Sequence, residues 1–129
     1  MAKAEPSAMV FVVDDDASVR RGLARLLVSA GYAVETFSSA GDFLAHARSR
    51  DICGCVVLDM RMPGGIGGLE VTRSLRQTDQ NLKIIIMSQH DPAHLLPRAM
   101  EAGANACIDK TLMAFDLIRM IKSAISCST

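Results

Sequence analysis

The chain has 129 residues, half of them hydrophobic and only 4% aromatic, which argues for one domain with an aliphatic core. Fourteen basic residues balance fourteen acidic ones, with no Lys/Arg block to attract a polyanion, so direct nucleic-acid binding is not expected. No apolar run approaches the roughly 18 residues of a spanning helix, and residues 1–8 lack the apolar segment of a signal peptide. The expectation is no membrane association and a cytoplasmic location.

Cys53, Cys55, Cys107 and Cys127 lack paired CxxC spacing and read as free thiols of a reducing compartment. With no His or Cys at ligand spacing nearby, Cys53-Gly54-Cys55 gives little support to a metal or redox pair.

Residues 1–8 are expected to form a flexible extension, followed by one domain over 9–126 and a tail over 127–129. Val10-Phe11-Val12-Val13 is an unbroken apolar run that ends in Asp14-Asp15-Asp16, the pattern of a strand buried on both faces. Two carboxylates about 4 Å apart repel by roughly 4 kcal/mol at an effective dielectric near 20, so clustered acids at a strand end suggest a cation. The simpler alternative is that Asp16 caps the next helix while its neighbours are solvated.

From Ala17 to Ala30, Val19, Leu23, Leu26, Leu27 and Ala30 recur at helical spacing, and Gly31 ends the helix. Ala33 to Phe37 reads as a short second strand. Ser39 caps a second helix, with Asp42 three residues on, and that helix runs to about Arg48 and buries Phe43, Leu44 and Ala47.

Cys55-Val56-Val57-Leu58 is a third buried strand. It stops at Asp59, and Met60-Arg61-Met62-Pro63-Gly64-Gly65 follows. The loop glycines Gly64, Gly65, Gly67 and Gly68 form neither a GxxxxGK[ST] cradle nor a GxGxxG turn, so they read as punctuation of a flexible loop. A weakly amphipathic helix spans about Leu69 to Gln77.

Lys83 to Met87 is the fourth strand, with Ser88 the first polar residue after it. His90-Asp91-Pro92-Ala93-His94 then opens a helix ending near Gly103, and Pro97 requires that helix either to begin nearby or to bend there. His90 and His94 stand four apart, but no third ligand supports a metal. Asn105 to Ile108 is a short fifth strand, Lys110 follows almost at once, and a last helix from about Leu112 to Ser126 presents Ala114, Ile118, Ile121 and Ile125.

Five strands alternating with five helices argue for a doubly wound parallel α/β sheet with helices on both faces and right-handed crossovers. In the flavodoxin-like order 2-1-3-4-5, the first and third strands are neighbours about 4.8 Å apart, which brings Asp15 and Asp59 to one edge. Asp14, Ser88 and Lys110 stand at the corresponding strand ends. An oxygen-rich carboxylate pair suits Mg2+ or Mn2+, and a carboxylate beside such a metal is a nucleophile toward phosphorus. Ser88 and Lys110 would hold the remaining phosphoryl oxygens, one by hydrogen bond and one by charge.

These motifs resemble the receiver domains of two-component response regulators. The match runs from Val10 to about Ile125. It rests on Val-Val-Asp14-Asp15, on Leu-Asp59-Met-Arg-Met-Pro63-Gly64, on Ser88, and on Gly103-Ala104 leading to Lys110. The resemblance implies that Asp59 accepts a phosphoryl group from a histidine kinase, a phosphotransfer protein or a small acyl phosphate. It further implies that Asp15, Asp59 and the Arg61 carbonyl bind Mg2+ directly, with Asp14 acting through water. Ser88 and Lys110 would engage the phosphoryl group, and the last strand and its flanking helices would present the altered surface. By this resemblance the domain is a signalling element rather than an enzyme with a turnover substrate.

Four positions depart from the family pattern. One extra residue lies between Pro63 and Leu69, compared with the usual Met-Pro-Gly-x-x-Gly-Leu. Gln89 stands where a small residue is usual, where it would narrow access to Asp59 or donate a hydrogen bond. Cys107 replaces the Tyr or Phe of the usual aromatic switch, and Thr111 replaces the Pro that often follows the lysine, so a cis bond there is not expected. Arg61 and His90, each two residues beyond a site residue, are expected to tune the lifetime of the phosphorylated state.

Two other readings are set aside. One is a phosphorylation-independent interaction module, disfavoured because all the site residues are present. The other is a phosphatase resembling the haloacid dehalogenase group, with Asp14 as nucleophile and Asp16 as acid in Asp14-Asp15-Asp16-Ala17-Ser18. It lacks a late acidic pair and a cap domain. The output is expected to be a downstream protein or a covalently linked domain, with a fragment of a longer regulator slightly favoured over a stand-alone receiver. A homodimer is left open.

Overall fold

The computed structural model describes residues 9–49, 54–61, 67–78, 81–89, 92–110 and 114–126. The strands are β1 (Met9–Val13), β2 (Ala33–Phe37), β3 (Gly54–Asp59), β4 (Lys83–Ser88) and β5 (Ala106–Asp109), and they alternate with helices α1 (Ala17–Ser29), α2 (Ala40–Ser49), α3 (Gly68–Thr78), α4 (Pro92–Ala102) and α5 (Ala114–Ser126). All pairings are parallel, as the alternation of apolar runs and amphipathic segments implies, and the order is β2-β1-β3-β4-β5, that of the flavodoxin-like expectation.

The apolar runs form central strands because both faces are covered. Phe11, Val13, Val56, Leu58, Ile84, Ile86 and Cys107 point to one face, where Phe43 and Leu44 of α2, Leu69, Val71 and Leu75 of α3, and Leu95, Ala99 and Ala102 of α4 pack on them. Their sequence neighbours Val10, Val12, Cys55, Val57, Ile85, Met87 and Ile108 point the other way, against Leu23 and Leu27 of α1 and Leu117 and Ile121 of α5. Side chains alternate across a strand, so each continuous run feeds two cores at once. Each fully buried Leu or Ile stabilises the fold by about 1.5–3 kcal/mol relative to exposure.

The helix ends follow the expected chemistry. Asp16 caps α1, its carboxylate accepting from the Ser18 and Val19 amides at 2.8 and 3.3 Å, and Ser39 Oγ accepts from the Asp42 amide at 3.1 Å at the start of α2. Gly103 closes α4 by donating to the Ala99 and Met100 carbonyls. Gly54 opens β3 with φ of 123°, and a Cβ there would fall on the Met9 carbonyl oxygen, so the start of β3 beside β1 requires glycine.

Several boundaries and faces differ from the sequence expectation. α4 starts at Pro92, inside the stretch from His90 to His94 expected to open it, and not near Pro97, the alternative start, because a proline at the first helical position gives up a donor that has no intrahelical partner anyway. His94 therefore lies inside α4, and His90 lies outside the described residues. Ser88 is the last residue of β4, and β5 runs one residue later than expected, through Asp109. Ala30 is exposed rather than on the buried face of α1, and Leu117, absent from the expected face of α5, is fully buried. Cys55 and Cys107 are free thiols, while Cys53 and Cys127 lie outside the described residues.

Candidate functional site

Parallel register carries the strand ends to one edge of the sheet. Val13 of β1 lies beside Leu58 of β3, and Asp59 lies beside Met87 of β4, so the residues just past β1 and at the ends of β3, β4 and β5 converge there. This edge is the crevice outside the carboxyl ends of the strands, where doubly wound sheets bind ligands. The backbone locks it: the Met60 amide donates to the Met87 carbonyl at 2.9 Å, and the Lys110 amide donates to the Ser88 carbonyl at 2.7 Å.

Lys110 is the hub. Its ammonium lies 2.8 Å from Asp14 Oδ2 and 3.1 Å from Asp59 Oδ2, joining the ends of β1, β3 and β5 through one charge. Asp14 is 0% exposed and Asp59 5%. Asp14 Oδ1 accepts from the Asp16 amide at 2.9 Å, and the Arg20 guanidinium donates to the Asp14 carbonyl at 2.6 Å, so α1 also holds the Asp14 backbone. The Arg20 contact was not foreseen from the sequence; its position one helical turn past the Asp16 cap is the only signal for it.

Asp59 Oδ1 accepts from the Arg61 amide at 3.4 Å. Burial, and then the charge of Asp14, push the Asp59 carboxyl above the ordinary aspartate value, against the opposing pull of Lys110. Burial alone would lower the Lys110 ammonium, but the two carboxylates outweigh it and hold it above the usual lysine value.

Asp14, Asp15 and Asp59 each offer a carboxylate oxygen, and these atoms lie within 4.8 Å of one another. Asp14 Oδ2 is buried and accepts no directed hydrogen bond, its contact with Lys110 being an ion pair. An all-oxygen donor set of this kind, with one carboxylate oxygen short of hydrogen bonds and Asp15 open to solvent, fits Mg2+ or Mn2+.

Beside these groups opens a cavity of about 450 Å³ lined by Asp15, Asp59, Arg61, Ser88 and Lys110, and by Gln89, His94 and Arg98 from the β4–α4 side. The six residues singled out from the sequence, Asp14, Asp15, Asp59, Arg61, Ser88 and Lys110, thus come to one edge, five of them on the cavity and Asp14 behind it. Gln89 is among the lining residues, whereas His94 and Arg98 carried no signal beyond their helical spacing.

The loop glycines divide. Gly68 is the buried first residue of α3, donating to the Met60 carbonyl, and a Cβ on it would lie 3.0 Å from the Asp59 carbonyl oxygen. Close packing beside Asp59, rather than loop flexibility, explains this glycine. Of the stretch between Pro63 and Leu69 that carries the extra position, only Gly67 and Gly68 are among the described residues, and Thr111 lies outside them. Cys107 is buried beneath α4, and burial raises its thiol above the usual value.

Comparison with known proteins agrees with this arrangement. The family model described as the response regulator receiver domain matches residues 10–122. Response regulator protein TodT of Pseudomonas putida is 35% identical over 119 residues, 92% of this chain and 52% of TodT. The crystal structure of full-length FixJ from B. japonicum superposes with a TM-score of 0.83 at 37% identity, covering 94% of this chain and 59% of FixJ.

A crystal structure of response regulator TrrA from Thermotoga maritima, in complex with Mg2+–BeF, superposes with a TM-score of 0.79 at 28% identity, covering 91% of this chain and 98% of TrrA. The chain spans about half the length of the curated relatives it matches. With the family match extending across the whole sheet, and the acidic trio and its lysine assembled at one end, the chain belongs to the response regulator receiver domain family.

Proposed function

We propose that this receiver accepts a phosphoryl group on Asp59, from a histidine kinase, a phosphotransfer protein or a small acyl phosphate. The observation that carries the reading is the convergence at one sheet end of Asp59, its ion pair with Lys110 at 3.1 Å, and two further carboxylates within 4.8 Å. Support comes also from TrrA, a relative of nearly the same length whose structure holds Mg2+–BeF.

Asp14, Asp15, Asp59 and the Arg61 carbonyl would hold Mg2+ or Mn2+. The bound cation supplies positive charge that offsets the negative charge of the attacking and transferred oxygens. A carboxylate oxygen of Asp59 attacks phosphorus as the bond from phosphorus to the donor breaks, and the electron pair leaves on the donor atom. Lys110, already against Asp59 Oδ2, pairs with a phosphoryl oxygen, and the Ser88 hydroxyl, held beside it through the Lys110 amide to Ser88 carbonyl bond, donates to another.

On this reading the functional unit spans 9–126, and the signal passes to a downstream protein or to an output domain of a longer regulator. The phosphatase alternative is weaker because Asp14, its nucleophile, is fully buried and ion-paired.

Incubation with acetyl phosphate and Mg2+, followed by intact mass measurement, tests the proposal. A single phosphoryl adduct is expected in the wild type and none in Asp59→Asn. An adduct that persists in Asp59→Asn, or that never forms in the wild type, refutes it.

A further inference from the structure

The phosphoacceptor reading uses the sheet side of the cavity and leaves its helix side without a role. His94 and Arg98 stand four apart on α4, one above the other on the same helix face, and both line the cavity that holds Asp59. Both are exposed, and Arg98 makes no hydrogen bond or ion pair among the described residues. Lys110, by contrast, is committed to Asp14 and Asp59. The cavity therefore has two cationic elements with different duties: one bound to the nucleophile, and one on the α4 wall with its guanidinium uncommitted.

Displacement at phosphorus places the nucleophile and the leaving group on opposite sides of the transferred group. Asp59 is buried at the end of β3 and lines the same cavity as the α4 residues, so a leaving group that departs away from the sheet enters a space that α4 also walls. Building on the phosphoacceptor reading, we infer that Arg98 is a specificity-determining residue that binds the leaving group of the phosphoryl donor, favouring donors whose leaving group departs as an anion. A guanidinium presents paired donors matched to a carboxylate.

Two small donors separate this role from general phosphoryl binding. With acetyl phosphate, the Asp59 oxygen forms a bond to phosphorus, the bond from phosphorus to the acetyl oxygen breaks, and acetate leaves with the electron pair as a carboxylate. With phosphoramidate, whose nitrogen already carries its proton, the bond from phosphorus to nitrogen breaks and ammonia leaves uncharged. The transferred group is the same in both, so only contacts to the leaving group distinguish them.

The test compares rates of Asp59 phosphorylation by the two donors, with Mg2+, in the wild type, Arg98→Gln and Arg98→Lys. The ratio of the acetyl phosphate rate to the phosphoramidate rate is expected to fall roughly threefold to tenfold in Arg98→Gln, the scale of one partly solvated charged hydrogen bond. Arg98→Lys, which keeps the charge and loses the paired donors, is expected to recover part of that ratio. A ratio unchanged in Arg98→Gln while the wild type is phosphorylated overturns this inference alone. A wild type phosphorylated by neither donor overturns both this inference and the phosphoacceptor reading.

Discussion

At the scale of single residues, the charge cluster behaves unlike a simple salt bridge, because its members oppose one another. Asp59 is held above its ordinary value first by burial and then by Asp14, so the fold favours its neutral form. Asp59→Asn, which removes the charge at nearly constant volume, is accordingly expected to raise the thermal midpoint of the metal-free protein. Lys110→Ala should act in the opposite sense, lowering stability by about 1–3 kcal/mol once partial exposure of the ammonium is allowed for, since Asp14 and Asp59 are left buried without their cation. Paired urea titrations of the two variants check both signs. Cys55 gives a pH prediction away from the site. Burial pushes its thiol from 9.0 up to about 12. The folded state thus keeps the proton while the unfolded chain releases it, so this contribution to stability is complete below pH 9.0 and is lost as pH rises toward about 12. Cys55→Ala should flatten the alkaline loss of stability in denaturant titrations, even though it lowers stability at neutral pH by leaving a small cavity.

At the scale of elements, α4 is the least conventional helix in the fold. Pro92 begins it favourably, but Pro97 lies inside it, and its missing amide deprives the Ala93 carbonyl of the usual i+4 donor. Leu95, Ala99 and Ala102 still bury one face against β4 and β5, so tertiary packing holds a helix whose own hydrogen bonding is incomplete. Pro97 is exposed, so replacing it costs no core contact. Pro97→Ala is expected to stabilise the domain by roughly 1–3 kcal/mol and to slow amide hydrogen exchange selectively in α4. Equal protection of α4 in the two proteins would show that packing alone already sets its stability. The sequence made this helix hard to place because Pro92 and Pro97 send conflicting signals: each suits the first turn and only one can occupy it. Asp91 before Pro92 favours the earlier start, as an acidic cap followed by proline, but no capping box reinforces it against Pro97.

At the scale of the whole molecule, the architecture was legible because the buried runs of β1, β3 and β4 are continuous and each stops at a polar residue. With helical segments between the runs, that pattern is the one expected when helices cover both faces of a parallel sheet. Asp14, Asp59 and Ser88 were legible for the same reason, as polar residues at the ends of apolar strands. What was not legible arises across space. Arg20 reaching the Asp14 carbonyl, Gly68 packing on the Asp59 backbone, and Arg98 lining the cavity are set by how α1, α3 and α4 lie on the sheet, and no periodicity reports that. Long-range convergence also yields the final prediction. Asp14 and Asp15 come from the end of β1 and Asp59 from the end of β3, so their oxygens lie within 4.8 Å only when the central strands are paired. An unfolded chain cannot offer the three together, and a ligand that binds only the folded state stabilises it by RT ln(1 + [L]/Kd), about 2.7 kcal/mol at a hundredfold excess over Kd. Saturating Mg2+ should therefore raise the thermal midpoint by roughly 10 °C. Asp15 is exposed, so Asp15→Asn leaves the core untouched while removing one oxygen charge from the site, and it should abolish most of that rise. A midpoint indifferent to Mg2+ in the wild type, or an equal rise in Asp15→Asn, would show that the acidic trio does not hold the cation.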